Sequence, residues 1–360
     1  MTCPRNGSSV LAALMAAGTL AAAPAAAQDA ALAISRAPVP GRAAWHARFQ
    51  DARSGPENVE TATRTFKVGA GGSLDIFNLA GPIVVTGADG DTIVVTAVKR
   101  VRGRAGDIRG QLDSIVIDAS ETGGRVQVRT VARRTKGLRT WVDYSVQVPH
   151  GTTVSGRTLA GDIRVSGVRG EVQLESASGS IHASSTPRLV RLKTLSGDIT
   201  LADAASAAAL TASTVSGTLT ATRVEARALE LTTISGDLVL VDTSSDRAQV
   251  RTVSGSVEFQ GPLAKGGRYE FISHSGDVRL TLAGDRGFDL SAKSFSGDVR
   301  ADMPLTAGPA DGRLPPPHER RDVSGTFGDG SALVMVKTFS GSVSVGRGGD
   351  GGRGKKTGGQ

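Results

Sequence analysis

Cysteine is nearly missing from this 360-residue chain, and the single copy is Cys3. Residues 1–27 read as a secretory signal peptide, with Arg5 in a short n-region, an apolar stretch Val10–Met15 and an Ala25-Ala26-Ala27 cleavage site before Gln28. Cleavage after Ala27 removes Cys3. The expected mature chain then has no disulfide, no thiolate nucleophile and no cysteine for a metal. Aromatic residues make up only 4%, few for a nucleic-acid stacking platform or a sugar-cleft enzyme. No second apolar run approaches about 20 residues, so no transmembrane anchor is expected. The reading is export, to the periplasm, the cell surface or the medium.

Catalytic signatures are also missing. The five histidines, His46, His150, His182, His274 and His318, share no metal-ligand spacing. No G-x-S-x-G elbow occurs. No cofactor is expected.

The net charge is +8, or +7 once Arg5 is removed with the leader. It is unevenly placed, because residues 99–139 hold eleven Lys or Arg against four Asp or Glu. Within that stretch Arg100, Arg102, Arg104, Arg129, Arg133, Arg134, Lys136 and Arg139 form a candidate basic patch for anionic envelope polymers. The alternative is solvated charge that protects exposed strands from edge-to-edge pairing. Export and scarce aromatics speak against nucleic acid as the partner.

Glycine is abundant, with 47 copies, and nine of them mark a repeat. A short phrase recurs around them: an apolar residue, Ser-Gly (Ala-Gly at 160–161), then Asp, Ser or Thr, then an aliphatic residue. Examples are Leu195-Ser196-Gly197-Asp198-Ile199 and Ile234-Ser235-Gly236-Asp237-Leu238. The glycines stand at 161, 179, 197, 217, 236, 255, 276, 297 and 341, so the gaps are 18–21 residues except for a last gap of 44. That last gap reads as two periods with an insertion. A fixed period near 20 residues marks a repeat architecture in which no unit buries its apolar face alone.

Strand alternation runs on both sides of each glycine. Leu229, Leu231 and Thr233 share a face before Gly236, and Leu238 and Leu240 share one after it. Each coil is therefore two short strands joined by a glycine corner. The fold class expected is all-β: a β-solenoid (β-helix-like) of roughly 19–20-residue coils with an N-terminal capping region. The segments expected are a signal peptide (1–27), a lead-in or linker (28–60), N-terminal coils with a β cap (61–150), and the repeat solenoid (151–345). An insertion falls at 307–322, and a disordered Gly/Lys/Arg tail at 346–360.

Three columns run down the repeats. The residue two before each Ser is hydroxylic, from Thr158 and Ser176 through to Ser294 and Thr338, and is expected to donate to the next coil or to a corner carbonyl. The residue after each glycine is Asp, Ser or Thr. A turn-forming role fits it better than a calcium ladder, which needs six to eight oxygens per ion, and Asp277 and Asp298 are the least unsuitable metal pair. The residue before each Ser reads Leu159, Ala177, Leu195, Val215, Ile234, Val253, His274, Phe295 and Phe339. If outward, this column is an interaction stripe; if the corner folds over it, it is a second core row.

These residues resemble a known family, the bacterial β-strand-repeat domain of unknown function often labelled "putative adhesin". The resemblance covers roughly 62–345. It is carried by Phe66-Lys67-Val68 with Gly71–Ile76, the early repeat Asn78–Val85, Thr92–Arg100, the strand Val142–Pro149 with Gly151-Thr152, and the Ser-Gly repeats. It implies an exported or envelope-associated β-solenoid without assigned catalytic residues.

Together these features point to a non-enzymatic envelope-binding scaffold that contacts anionic material, or another envelope protein, through its basic cap. A first alternative is a polysaccharide lyase or hydrolase on the same scaffold, using outer-face residues such as Lys193, Asp198, Arg251, Glu258, Lys293 and Asp298. A second is a structural or assembly protein acting through the outer apolar column. The oligomeric state is left open.

Overall fold

The structure is a computed structural model that describes residues 57–102, 108–133, 140–306 and 321–348. The signal peptide, residues 28–56 of the lead-in, 307–320 of the insertion and 349–360 of the tail lie outside the described residues.

Among the described residues, twenty-four strands and one short helix follow in chain order. The N-terminal region holds β1 (Glu57–Lys67), β2 (Ser73–Ala80), β3 (Ile83–Ala88), β4 (Thr92–Arg102), α1 (Ile108–Asp113), β5 (Ile115–Thr122), β6 (Arg125–Ala132) and β7 (Thr140–Pro149). The middle of the chain forms β8 (Thr153–Ala160), β9 (Ile163–Ser166), β10 (Val172–Ser178), β11 (Ile181–Thr186), β12 (Leu189–Ser196), β13 (Ile199–Ser216), β14 (Leu219–Ser235), β15 (Leu238–Val241) and β16 (Ser244–Ser254). The remainder forms β17 (Val257–Pro262), β18 (Arg268–Ser275), β19 (Val278–Ala283), β20 (Phe288–Ser296), β21 (Val299–Ala301), β22 (Asp322–Phe327), β23 (Ala332–Ser340) and β24 (Val343–Arg347). Strand β1 thus begins inside the stretch read as lead-in, and β24 reaches two residues into the stretch read as tail.

The strands stack in register as two parallel ladders. One runs β6, β2, β8, β10, β12, the second halves of β13 and β14, then β16, β18, β23 and β20. The other runs β7, β3, β9, β11, the first halves of β13 and β14, then β15, β17, β19, β24 and β21. This is a nearly all-β, solenoid-like stack. Period-two alternation sends apolar side chains inward, where Leu229, Leu231, Leu238 and Leu240 are fully buried. Each side chain buried in this way contributes about 1.5–3 kcal/mol.

At the N-terminal end the pairing turns antiparallel. Strand β4 pairs β7 and β1 pairs β4, while β5 pairs β6. The buried Asn78, in register with Thr158, ties this end together. Its Nδ2 donates to Gly81 O at 2.9 Å and to Val142 O at 2.8 Å. Its Oδ1 accepts from Thr130 Oγ1 at 3.0 Å, and that hydroxyl also meets the Tyr144 hydroxyl at 2.8 Å. Burial pushes the Tyr144 phenol up to about 12.

The order of the last coils differs from the order in the chain. Strand β23 lies between β18 and β20, and β24 lies between β19 and β21. The coil with the corner Gly341 is therefore intercalated between those of Gly276 and Gly297. The sequence reading took the 44-residue gap as two periods with an insertion, which gives no order for the coils. Backbone ladders between parallel strands discriminate little by sequence, so order along the chain does not by itself fix the order of the coils.

Candidate functional site

The corner glycines decide what the outer edge of the stack can look like. Gly236 has φ 145°, and a Cβ there would lie 2.1 Å from Gly217 O of the coil below. Both the positive φ and the close approach demand glycine. The other corners repeat this geometry, including Gly297 against Gly341 and Gly341 against Gly276. With the corner so tight, alternation continues into it: Thr233 points in, and Ile234 points out with half of its surface exposed.

The column before Ser-Gly is consequently an outer ridge. Leu159, Leu195, Val215, Ile234, Val253, Phe339 and Phe295 are between 38% and 67% exposed. Ala177 and His274 fill the remaining rungs, the first half-buried and the second exposed. A second core row at this position is ruled out. At one end the ridge becomes a ring stack, with His274 over Phe339 at 4.9 Å and Phe339 over Phe295 at 4.7 Å, the planes within 12° and 6° of parallel.

Behind the ridge the hydroxyl column closes onto corner carbonyls. Thr194 Oγ1 donates to Gly179 O at 3.1 Å, Thr214 Oγ1 to Gly197 O at 3.1 Å, and Ser294 Oγ to Gly341 O at 2.9 Å. Each bond reaches the coil one step nearer the N-terminal end of the stack. Thr158 and Thr233 are buried without such a partner; at Thr158 the corresponding carbonyl, Gly81 O, accepts from Asn78. These hydroxyls lie behind the corner, where their bonds tie one coil to the next.

In front of the ridge the Asp column serves the turns. Asp162 Oδ1 accepts from Ser180 N at 3.0 Å, Asp198 Oδ1 from Thr218 N at 2.8 Å, and Asp277 Oδ1 from Ser342 N at 2.7 Å. Each carboxylate thereby caps the corner of the next coil. Intercalation separates the metal pair, because Val343 pairs with both Val278 and Val299 and so places Ser342 between Asp277 and Asp298. The two carboxylates sit two strand spacings apart, about 9–10 Å. Among the described residues no group of three or more His, Cys, Asp or Glu is placed to hold a metal.

The basic patch is partly neutralised where it is described. Arg100 Nε meets Asp143 Oδ2 at 2.5 Å, and Lys99 lies 3.5 Å from Glu60. Arg129 and Arg133 are exposed. Arg102 ends β4, its side chain outside the described residues, and Arg104, Arg134, Lys136 and Arg139 lie outside them altogether. Three of the outer-face residues of the enzymatic alternative are likewise engaged: Arg251 with Glu270 at 3.3 Å, Lys293 with Asp322 at 2.7 Å, and Asp298 with Arg300 at 3.4 Å.

Sequence reasoning missed a second corner. Ser185, Asp203, Arg223 and Asp242 all adopt φ near 50° at equivalent places in four successive coils. Left-handed backbone at non-glycine residues is costly. Here Arg223 forks onto Asp203 at 2.5 and 2.8 Å, which holds that carboxyl below its usual range. The Asp side chains were the only signal for this turn in the sequence, since Asp tolerates the conformation better than most residues.

Comparison with known proteins finds a family first. The family model described as Toastrack DUF4097 matches residues 144–346, more than half of the chain. No curated protein matches. Among solved structures, the chain is similar to a "putative cell adhesion protein" from Clostridium sporogenes, with 7% identity, 81% of this chain and 100% of that one covered, and a TM-score of 0.22. It is also similar to a "putative adhesin" from Bacteroides fragilis, with 11% identity, 79% and 96% covered, and a TM-score of 0.39. A third, a "putative lipid binding protein" from Parabacteroides distasonis, shows 11% identity, 80% and 96% covered, and a TM-score of 0.30.

Proposed function

The chain belongs to the Toastrack DUF4097 family, and from that premise we propose that it is a non-enzymatic, exported binding scaffold of the cell envelope whose contact surface is the apolar ridge. One observation carries the reading: seven large apolar side chains, each 38–67% exposed, stand in a single row along the glycine corner. Contiguous exposed apolar surface of this kind is a mark of association, whereas scattered apolar residues are ordinary. The rungs repeat at about 4.8 Å on a rigid stack, so a partner meets a preformed surface and little ordering entropy opposes binding.

Anionic envelope material at the basic cap is the second reading, favoured by the exposed Arg129 and Arg133. The pairing of Lys99 and Arg100 with acidic neighbours lowers the charge available there.

Co-sedimentation with isolated envelopes at about 50 mM and about 500 mM salt separates the two. The ridge reading expects retention that survives high salt and falls several-fold when Leu195, Ile234 and Val253 are together changed to Ser. Retention lost in high salt and indifferent to the triple change would overturn it in favour of the basic cap.

A further inference from the structure

A second surface lies along β13, β14, β16 and β18, ahead of the segments that lead to the glycine corner. A groove of about 680 Å³ opens there, with Ala208, Ala209, Ala228 and Gly266 as its small residues and Arg227, Arg247 and Arg268 as its cations, beside Asp246. The register explains the shape. Ala209 pairs with Ala228, Ala228 with Arg247, and Arg247 with Arg268. One row across four successive strands therefore reads Ala, Ala, Arg, Arg. The methyl groups leave a shallow floor, and the two arginines rise from strands one spacing apart, about 4.8 Å.

These arginines differ from Arg223 and Arg251 of the same coils. Arg223 and Arg251 have acidic partners on neighbouring strands, Asp203 and Glu270. Arg227, Arg247 and Arg268 are exposed, and none has an ion pair or side-chain hydrogen bond among the described residues. Three cations beside one carboxylate leave an uncompensated positive groove. The groove is also held in shape from behind. The Tyr269 hydroxyl, fully buried, donates to Ser245 O at 2.5 Å and accepts from Ala264 N at 2.7 Å, which fixes the segment leading to Gly266 against the coil below.

We propose that this groove binds an acidic polysaccharide. Planar guanidinium groups donate in a fork to carboxylates, and the alanine floor accepts the C–H face of a sugar ring lying between charged rungs. A bare polyanion such as polyphosphate matches the arginines but has no apolar face for the alanines. The site lies on a different row of the coil from the apolar ridge and stands independently of it.

The test is fluorescence anisotropy with labelled polygalacturonate, and with dextran and polyphosphate as comparison probes, on the protein and two charge-matched doubles. One double carries Arg247→Gln with Arg268→Gln; the other carries Arg125→Gln with Arg169→Gln, both exposed and outside the groove. Thermal melts accompany each to verify folding. The expected result is polygalacturonate binding that weakens at least about tenfold in the groove double, changes less than about twofold in the control double and in Ile234→Ser, and is absent for dextran. Equal weakening in both doubles, binding of polyphosphate alone, or no polygalacturonate binding at about 50 mM salt would overturn the proposal.

Discussion

The rings of Phe295 and Phe339 stack at 4.7 Å, 6° from parallel, although the chain leaves one coil, passes through residues 302–331 and returns before it reaches the second. The contact is a direct consequence of intercalation. Gly341 and its flanking strands occupy the place between Gly276 and Gly297, so Phe339 is sandwiched between His274 and Phe295.

Intercalation predicts which positions crosslink. Ser275 pairs with Ser340, and Ser340 with Ser296. With Cys3 replaced by Ser, the cysteine pairs 275–340 and 340–296 should each form a disulfide on oxidation, because neighbouring strands place Cα atoms within about 4.4–6.8 Å. The pair 275–296, two strands apart, should not. Gel mobility under non-reducing conditions reads the result, and a ready 275–296 crosslink would restore the sequential order.

The corner geometry predicts a large penalty for any side chain. Gly236→Val meets a carbonyl 2.1 Å away at φ 145°, so a loss of several kcal/mol and a marked drop in melting temperature are expected. Gly266→Ala is the comparison, since φ is 72° there but nothing lies within 4 Å of the added carbon. Its cost should be about 1–2 kcal/mol.

The hydroxyl column predicts opposite outcomes at two neighbouring rungs. Thr214→Val removes the donor to Gly197 O and leaves that carbonyl unpaired, at a cost of about 1–3 kcal/mol. Thr233→Val removes a buried hydroxyl that has no partner, and should be neutral or stabilising. Urea unfolding of the two variants distinguishes them.

Alkaline pH should weaken the N-terminal end of the stack. The Tyr144 phenol titrates near 10 when unfolded and is pushed up to about 12 when buried, so the folded state holds its proton longer. The stabilisation is complete below pH about 10 and is lost as pH rises to about 12, by roughly 2–3 kcal/mol. Tyr144→Phe should flatten the stability profile over that window, as followed by denaturant melts at each pH.

Chelation should leave the melting temperature unchanged. Ser342 separates Asp277 from Asp298, and one oxygen of Asp277 already accepts from the Ser342 amide. A fall of several degrees on adding EDTA would show a bound cation stabilising the fold.

Some of this was legible locally. Alternation around each glycine placed Leu229, Leu231, Leu238 and Leu240 inside, and they are buried. The same phrase called for glycine at the corner, through positive φ or close approach, and Gly236 shows both. The hydroxyl column was expected to donate to a neighbour or to a corner carbonyl, and at Thr194, Thr214 and Ser294 it donates to the carbonyl. Charge was read less well. Counting cations in 99–139 could not reveal that Arg100 meets Asp143, 43 residues away, because strand pairing across the cap brings them together. The groove at Arg247 and Arg268 was invisible for the same reason: only register sets Ala209, Ala228, Arg247 and Arg268 in one row.

What the sequence by itself determined is the coil: short strands, inward and outward faces, and glycine corners, all set by backbone sterics and period-two alternation within about 20 residues. What only the tertiary structure decided is how the coils are ordered and what their outer edges present. Ladders between parallel strands discriminate little by sequence, so stacking order is set by connections and by packing of the whole core. Whether Ile234 and its column are covered depends on how tightly the corners close on one another. They close to within a carbonyl's reach, and the ridge stays in solvent.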